Sequence, residues 1–317
     1  MLQVITDNKS GNLYDISELI TDATWKTSRI GKPGSFDFTM LQDSKYIIDN
    51  GDIIRVKWDD KPLFYGYVFS IGRGEEETIK VKAYDQMRYL MAADTYVLKN
   101  TTASDIIKRI AKDFNLKLGS VADTKYAIPS LLEDGQKLID IIDKAFAYTT
   151  INTGSIYVLY DDFGSLTVKN VKDMKLDFFI GDTSLMHGYS FEKSIDSDTY
   201  NQIKLVRDNK TTKKRDVHIA KDSANIGKWG LLQYYQSVDE NMNDAQIRQL
   251  LDQLSKLKNR ETKSLKIEAL GDPSIRAGCY VHAEIEELAI SQLYLVDECT
   301  HKFSGDDYTI SIELKVF

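Results

Sequence analysis

Four residues near the end of the chain have side chains that could hold a zinc ion. They are Cys279, His282, Cys299 and His301, and thiolate and imidazole are ligands that zinc prefers. Cys279 and His282 are three residues apart in a predicted strand, so their side chains should point to opposite faces of a sheet. The Cys-x2-Cys spacing that is common in zinc sites does not occur. We therefore predict no metal site, and we expect buried thiols and exposed imidazoles.

A second stretch, Asp162-Phe163-Gly164, spells the magnesium-binding tripeptide of protein kinases. A kinase also needs a phosphate-covering loop and a His-Arg-Asp catalytic loop, and no His-Arg pair occurs in the sequence. The glycine-rich segment 72–74 is followed by three glutamates, which would repel a phosphate. We interpret the tripeptide as a hairpin turn.

Other catalytic arrangements also lack a partner. Glycoside hydrolysis needs two carboxyl groups that face each other across a cleft, but most of the 48 acidic residues fall in predicted turns or on polar strand faces. No Gly-x-Ser-x-Gly sequence is present, and the four histidines are scattered. We predict no catalytic residue, no cofactor-binding residue and no cofactor; from residues alone an enzyme is disfavoured but stays an alternative.

Charge and composition restrict the partners. The net charge is −7, whereas nucleic-acid binders need dense basic surfaces. The one basic cluster, residues 210–215, is flanked by Asp208 and Asp216, and we interpret it as a solvated hairpin tip, so we predict no sequence-specific nucleic-acid binding. No apolar run approaches the ~20 residues of a membrane span. The N-terminus lacks the features of a signal peptide, and two cysteines do not suggest a disulfide scaffold; we expect synthesis in the cytoplasm.

The first part of the chain, residues 1–95, reads mainly as strands. Segments 35–40, 52–58 and 78–84 alternate apolar and polar residues, which is typical of strands with one buried face. Their spacing favours a small antiparallel barrel. An apolar run at 87–91 predicts a short helix at its end.

The second part, residues 96–180, changes period. Apolar residues recur every three or four positions in 102–114 and again in 136–148, which predicts two amphipathic helices. Thr102 or Ser104 is placed to cap the first. A hairpin with its turn at residues 161–164 follows. This part is predicted to be a compact α+β domain.

The third part, residues 181–317, returns to strands near Ser184 and at 201–206, 216–220 and 308–316. One helix, at about 243–259, interrupts them, because Asn243 and Gln246 resemble a capping box. The predicted fold class is therefore mainly β with an α+β insert: two related small antiparallel β-barrels flank a helical α+β middle domain.

The relation between the barrels rests on a repeated strand–turn–strand unit. Residues 51–71 and 278–298 share one rhythm of apolar and polar residues. In the ungapped register that pairs the two initial glycines, Val68 corresponds to Leu295. Any two antiparallel hairpins share a period of two, but the matching turns favour an internal duplication.

Four stretches go beyond periodicity: LGDPSIRAG at 270–278, VKAYDQMRYL at 81–90, SIDSDTYNQIK at 194–204 and ASDII at 103–107. Together they resemble the XkdQ-like hub proteins of contractile phage tails and phage-derived bacteriocins. The resemblance covers essentially the whole chain. Its motifs are structural, since related hub folds also occur in non-contractile tails and secretion spikes.

The resemblance implies a structural baseplate hub rather than an enzyme, with no catalytic residue to carry over. Such hubs form homotrimers whose six barrels make a pseudo-sixfold ring. This ring joins the sixfold tail tube protein to the threefold spike protein, and other baseplate proteins are further partners. The protein would be made in the host cytoplasm and assembled into the tail particle. The alternative is a tail-tip protein that binds the cell wall or hydrolyses peptidoglycan, and exposed aromatic residues on one barrel would favour sugar binding.

Overall fold

The computed structural model describes residues 1–43, 46–74, 77–209, 213–240 and 242–315. Three predicted features fall partly outside them: residues 210–212 of the basic cluster, glutamates 75–76, and the last predicted strand residue, 316. The described chain is mainly β with α+β parts, as predicted. Among these residues no helix combines the length and the apolar character that a membrane crossing requires.

The strands of the first half are β1 (Leu2–Asp7), β2 (Leu13–Asp15), β3 (Ile20–Ser28), β4 (Ser35–Leu41), β5 (Ile53–Trp58), β6 (Lys61–Arg73), β7 (Thr78–Tyr84), β8 (Ala93–Thr102), β9 (Leu118–Val121) and β10 (Ala127–Lys137). Those that follow are β11 (Tyr157–Asp161), β12 (Leu166–Asn170), β13 (Lys175–Gly181), β14 (Met186–Ser194), β15 (Gln202–Asn209), β16 (Lys214–Lys221), β17 (Gln233–Val238), β18 (Thr262–Leu270), β19 (Tyr280–Ile285), β20 (Ile290–Ser304) and β21 (Asp307–Lys315). The helices are α1 (Ala103–Asp113), α2 (Leu138–Thr153), α3 (Ser223–Trp229) and α4 (Asp244–Lys258), with short 3-10 helices at Ser17–Leu19, Gln86–Met91, Val171–Met174 and Glu286–Leu288.

One 13-stranded sheet contains both copies of the repeated unit. Its order is β14-β18-β21-β20-β3-β4-β7-β6-β5-β1-β2, and β13 and β19 pair beside β20. Strand β20 pairs with β21, with β19 near its start and with β3 near its end. The copies therefore lie in one hydrogen-bonded sheet, connected through β3 and β4, and closure of either copy into a barrel stays a prediction.

The chain forms two compact units. The first contains residues 1–149, 155–190 and 265–317, and the second contains 150–154 and 191–264. In the second unit, β16-β15-β17 form a separate three-stranded sheet, and α4 packs on it through Ile247, Leu251 and Leu254. The strands predicted at 201–206 and 216–220 thus lie outside the large sheet, in an insertion larger than a single helix. The three-domain division stays a prediction.

Helices α1 and α4 begin at the capping residues that the sequence predicts, and their apolar faces are buried. Thr102 accepts a hydrogen bond from the Asp105 backbone N–H and so caps α1, whose isoleucines enter a core shared with α2 and the β9-β12-β11 sheet. Helix α4 begins with the predicted capping box of Asn243 and Gln246. These features agree with the predicted α+β middle segment and with the helix predicted at about 243–259.

The repeated unit is present, with a correction to its register. The Gly51 N–H donates to the Val68 carbonyl at 2.8 Å, and the Gly278 N–H donates to the Val296 carbonyl, also at 2.8 Å. Val68 therefore corresponds to Val296, so the ungapped match with Leu295 was wrong by one residue. Two differences combine: the four-residue turn 286–289 between β19 and β20 is two residues longer than the turn between β5 and β6, and a bulge in β6 between Pro62 and Phe64 offsets one of those two residues. Both glycines have a positive φ, +90° and +94°, which glycine adopts without a Cβ clash.

Candidate functional site

Of the four residues that were considered for zinc, Cys299 and His301 lie together, with 3.2 Å between Sγ and Nε2, and the four do not form one cluster. Cys279 and Cys299 are buried, as expected, while the His282 Nε2 lies 3.1 Å from a Glu284 carboxylate oxygen near the surface. The expectation of exposed imidazoles was wrong for His301, which is fully buried. Across the described residues no cluster of three or more potential metal ligands occurs.

His301 instead fills a structural position. Its Nε2 lies 2.8 Å from the Ile275 carbonyl, which can only accept, so Nε2 carries the hydrogen and donates. Its Nδ1 then accepts from the Tyr308 hydroxyl at 2.8 Å. Burial lowers the pKa of the imidazole to about 4, and its ring stacks on Trp25 with 4.5 Å between centroids. A neutral imidazole with both nitrogens bonded links β20, β21, β3 and the turn before Gly278.

The tripeptide Asp162-Phe163-Gly164 is a hairpin turn, as predicted. The Asp162 N–H donates to the Ser165 carbonyl at 2.8 Å. Phe163 and Gly164 have φ of +49° and +92°, the pattern of a type I′ turn between antiparallel strands. The turn sends the Phe163 ring toward Tyr65, with 5.8 Å between ring centroids.

A buried cluster that sequence reasoning missed joins three distant segments. The Asp85 carboxylate accepts from the backbone N–H of Gly34 at 2.9 Å and of Met87 at 3.0 Å. Asp161 accepts from the Gly164 N–H at 2.5 Å. Burial raises the pKa of both carboxyl groups, and the charge on Asp161 raises the pKa of Asp85 further.

Arg276 is the cation of this cluster. Its Nη2 donates to the Asp161 carbonyl at 3.3 Å, and its guanidinium carbon lies 3.9 Å from the Tyr160 ring centroid, a cation–π geometry. Its positive charge lowers the pKa of both carboxyl groups, against the effect of burial. Raised carboxyl pKa values are common in active sites, but Asp85 and Asp161 are each only 6% exposed. We interpret the cluster as a structural joint.

A second feature, here called the aromatic face, is partly exposed. It consists of rings on β6, on β7, on the 3-10 helix after β7 and on the β11–β12 turn: Tyr65, Tyr67, Phe69, Tyr84, Tyr89 and Phe163. Successive rings lie 5.5–6.0 Å apart between centroids, which is a normal aromatic contact distance. Four of these rings also line a cavity of about 500 Å³ beside Gln86, Asn115 and Lys117.

Two cations flank the aromatic face. The Lys9 ammonium lies 5.1 Å from the Tyr67 ring centroid, and the Arg88 guanidinium carbon lies 5.5 Å from that of Phe69. Neither forms an ion pair with any residue that the structure describes. The face therefore offers apolar area and unneutralised positive charge on a chain of net charge −7.

Part of the aromatic face could be predicted from the sequence. Tyr65, Tyr67 and Phe69 alternate along a predicted strand, so a period of two places them on one side. Phe163 joins them only through tertiary packing, and no local pattern indicates that contact.

The fold is that of phage tail proteins. The crystal structure of a tail protein from Neisseria meningitidis MC58 superposes with a TM-score of 0.72 at 14% identity, and covers 99% of this chain and 96% of that one. At this identity the likeness shows the fold alone.

The family is shown by the sequence. The YqbQ-like family model matches residues 23–315, and the chain belongs to this family. It is 36% identical to YqbQ of Bacillus subtilis strain 168, over 99% of this chain and 93% of that protein. It is also 35% identical to the phage-like element PBSX protein XkdQ of the same strain, over 90% of this chain and 89% of that protein. The predicted resemblance to XkdQ-like proteins is confirmed.

Proposed function

We propose that the chain is a structural hub of a contractile tail baseplate, in a phage or a phage-tail-like particle, and that it acts as a homotrimer between a sixfold tube protein and a threefold spike protein. The observation that carries this proposal is the internal repeat, with its matching hydrogen bonds at Gly51 and Gly278. The relation to a PBSX element protein and the tail-protein fold support the location.

The symmetry follows from counting surfaces. Each chain carries two copies of one strand–turn–strand unit, so three chains present six similar surfaces to a hexameric ring while they keep a threefold axis for the spike. The β3–β20 ladder holds the copies in one sheet, so both surfaces belong to one structural unit. On this proposal the protein needs no catalytic residue and no cofactor.

The test is co-expression of the chain with its tube and spike neighbours, followed by mass measurement and electron microscopy of the purified assembly. We expect three copies of the chain for each spike, at the junction between tube and spike. A different stoichiometry, or an assembly with the chain located elsewhere, would contradict the proposal.

A second candidate is a tail-tip protein that binds or hydrolyses the cell wall, and the aromatic face is the observation that favours it, because flat aromatic rings can pack against sugars. We expect no loss of turbidity when the pure protein is added to purified cell walls, and no sedimentation of the protein with them. Reproducible clearing that is lost on substituting one carboxylate would favour the enzyme instead.

A further inference from the structure

The internal repeat places the same surface in two different settings. In the second copy, the cross-strand pair Tyr280–Leu295 is covered by the β11–β12 hairpin and the segment after it, through Val158, Tyr160 and Val171. Leu295 is fully buried as a result. A Cβ at Gly278 would lie 2.9 Å from a Val158 methyl carbon, so the cover is in direct contact with the turn.

The equivalent surface of the first copy is covered less closely at its turn. The pair that corresponds to Tyr280–Leu295 is Ile53–Tyr67, and a Cβ at Gly51 would meet nothing within 4 Å. Ile53 is buried, but Tyr67 is only partly buried and belongs to the aromatic face. Tyr89 of the same face is 41% exposed. The second copy thus has this face covered at the turn by its own chain, whereas the first copy leaves part of it, including Tyr67 and Tyr89, accessible to solvent.

The charges indicate what covers the presented face. Lys9 and Arg88 lie on its rings without a described ion-pair partner. The hairpin tip between β19 and β20 has the opposite character, because Glu286 and Glu287 are exposed there beside Leu288. The Tyr189 hydroxyl donates to Glu287, but neither glutamate forms an ion pair with a described lysine or arginine. Carboxylates around an apolar residue complement cations around aromatic rings.

We propose that the aromatic face of one copy of this chain binds the acidic hairpin tip, residues 285–290, of a second copy. The two surfaces differ, so the contact is heterologous and joins copies head to tail, and three such contacts close a ring. The proposal rests on the homotrimer of the proposed function. It adds which surfaces meet and why the second copy of the repeat cannot use the equivalent face.

The test places a photo-crosslinking amino acid at Tyr89 in the full-length chain, co-expressed with its tube and spike neighbours. We expect a crosslink between two copies of the chain that maps to a peptide containing residues 284–293. The matched control places the same amino acid at Tyr235, which is 49% exposed and lies in the other compact unit; it should give no crosslink to that peptide. A crosslink from position 89 only to another tail protein, or none, would overturn the proposal.

Charge reversal tests the electrostatic part. R88E and E286K should each lower the yield of the crosslinked pair about fivefold, since a close pair of like charges replaces an attractive one at a cost on the order of 1 kcal/mol. A mixture of R88E chains and E286K chains should recover part of the yield. An assembly with three chains per spike but without the mapped crosslink would overturn this interface and leave the proposed hub function intact. An assembly of different stoichiometry that contains the mapped crosslink would support the interface and contradict the proposed hub function.

Discussion

Replacing Gly278 by alanine should lower the free energy of unfolding by about 1–3 kcal/mol more than replacing Gly51 by alanine, because only one of these positions is overpacked by a Cβ. The two glycines have nearly the same φ, +94° and +90°, so the backbone cost of about 1–2 kcal/mol is common to both. The difference is the surroundings: the Cβ at Gly278 meets the buried Val158, and the Cβ at Gly51 meets open space.

Urea unfolding of the two variants measures the difference directly. A double variant, G278A with V158A, should cost less than the sum of its two single variants, because removal of the valine methyl groups makes room for the new Cβ. Equal costs for G278A and G51A would show that the β11–β12 hairpin does not pack on this turn.

Replacing Arg276 by methionine should destabilise the protein by about 3 kcal/mol at pH 7, since it leaves two buried carboxyl groups without their cation. Methionine keeps most of the apolar bulk but removes the charge and the cation–π contact with Tyr160. The exposed Arg215, which pairs with Asp208 at 2.9 Å, provides the matched control, and R215M should leave the free energy of unfolding nearly unchanged because exposed ion pairs contribute little.

The pH dependence of R276M follows from the raised carboxyl pKa values. Asp85 and Asp161 hold protons more tightly in the folded state than in the unfolded state, and removal of Arg276 strengthens this. A raised folded-state pKa costs stability as pH rises above the ordinary carboxyl value near 4. The deficit of R276M should therefore be smaller at pH 4.5 than at pH 8, and adding D161N should recover part of it at pH 8. A deficit independent of pH would contradict this account.

Local sequence patterns were sufficient to predict those features that depend on neighbouring residues. The cap at Thr102, the capping box at Asn243 and the turn at Phe163 depend on neighbours within a few residues, and each agrees with its prediction. The predicted register of the repeat was wrong because turn length depends on backbone conformations such as the left-handed one at Ala289. Alanine seldom adopts this conformation, so the sequence does not indicate it. The burial of His301 could not be read from its strand, because Trp25, from the opposite end of the chain, covers it.

Separate elements of the second compact unit were missed for a related reason. Helix α3 has no buried residue, so it shows no apolar stripe that a sequence pattern could reveal. Strand β17 pairs in parallel with β15, and parallel pairing is decided by the crossover between the strands rather than by a hairpin turn. The aromatic face also depends on such nonlocal packing, since Phe163 reaches it from a segment that is distant in the sequence.

The β3–β20 ladder has a consequence for synthesis on the ribosome. The ladder pairs Trp25 with His301, and Phe303 lies in the same core as Trp25 and Phe36. Strand β3 therefore lacks this partner until β20 has been translated, and such long sequence separations slow folding. In the meantime β3 presents an open edge that invites pairing with other nascent chains. A chain that terminates before β20 is therefore expected to be prone to aggregation.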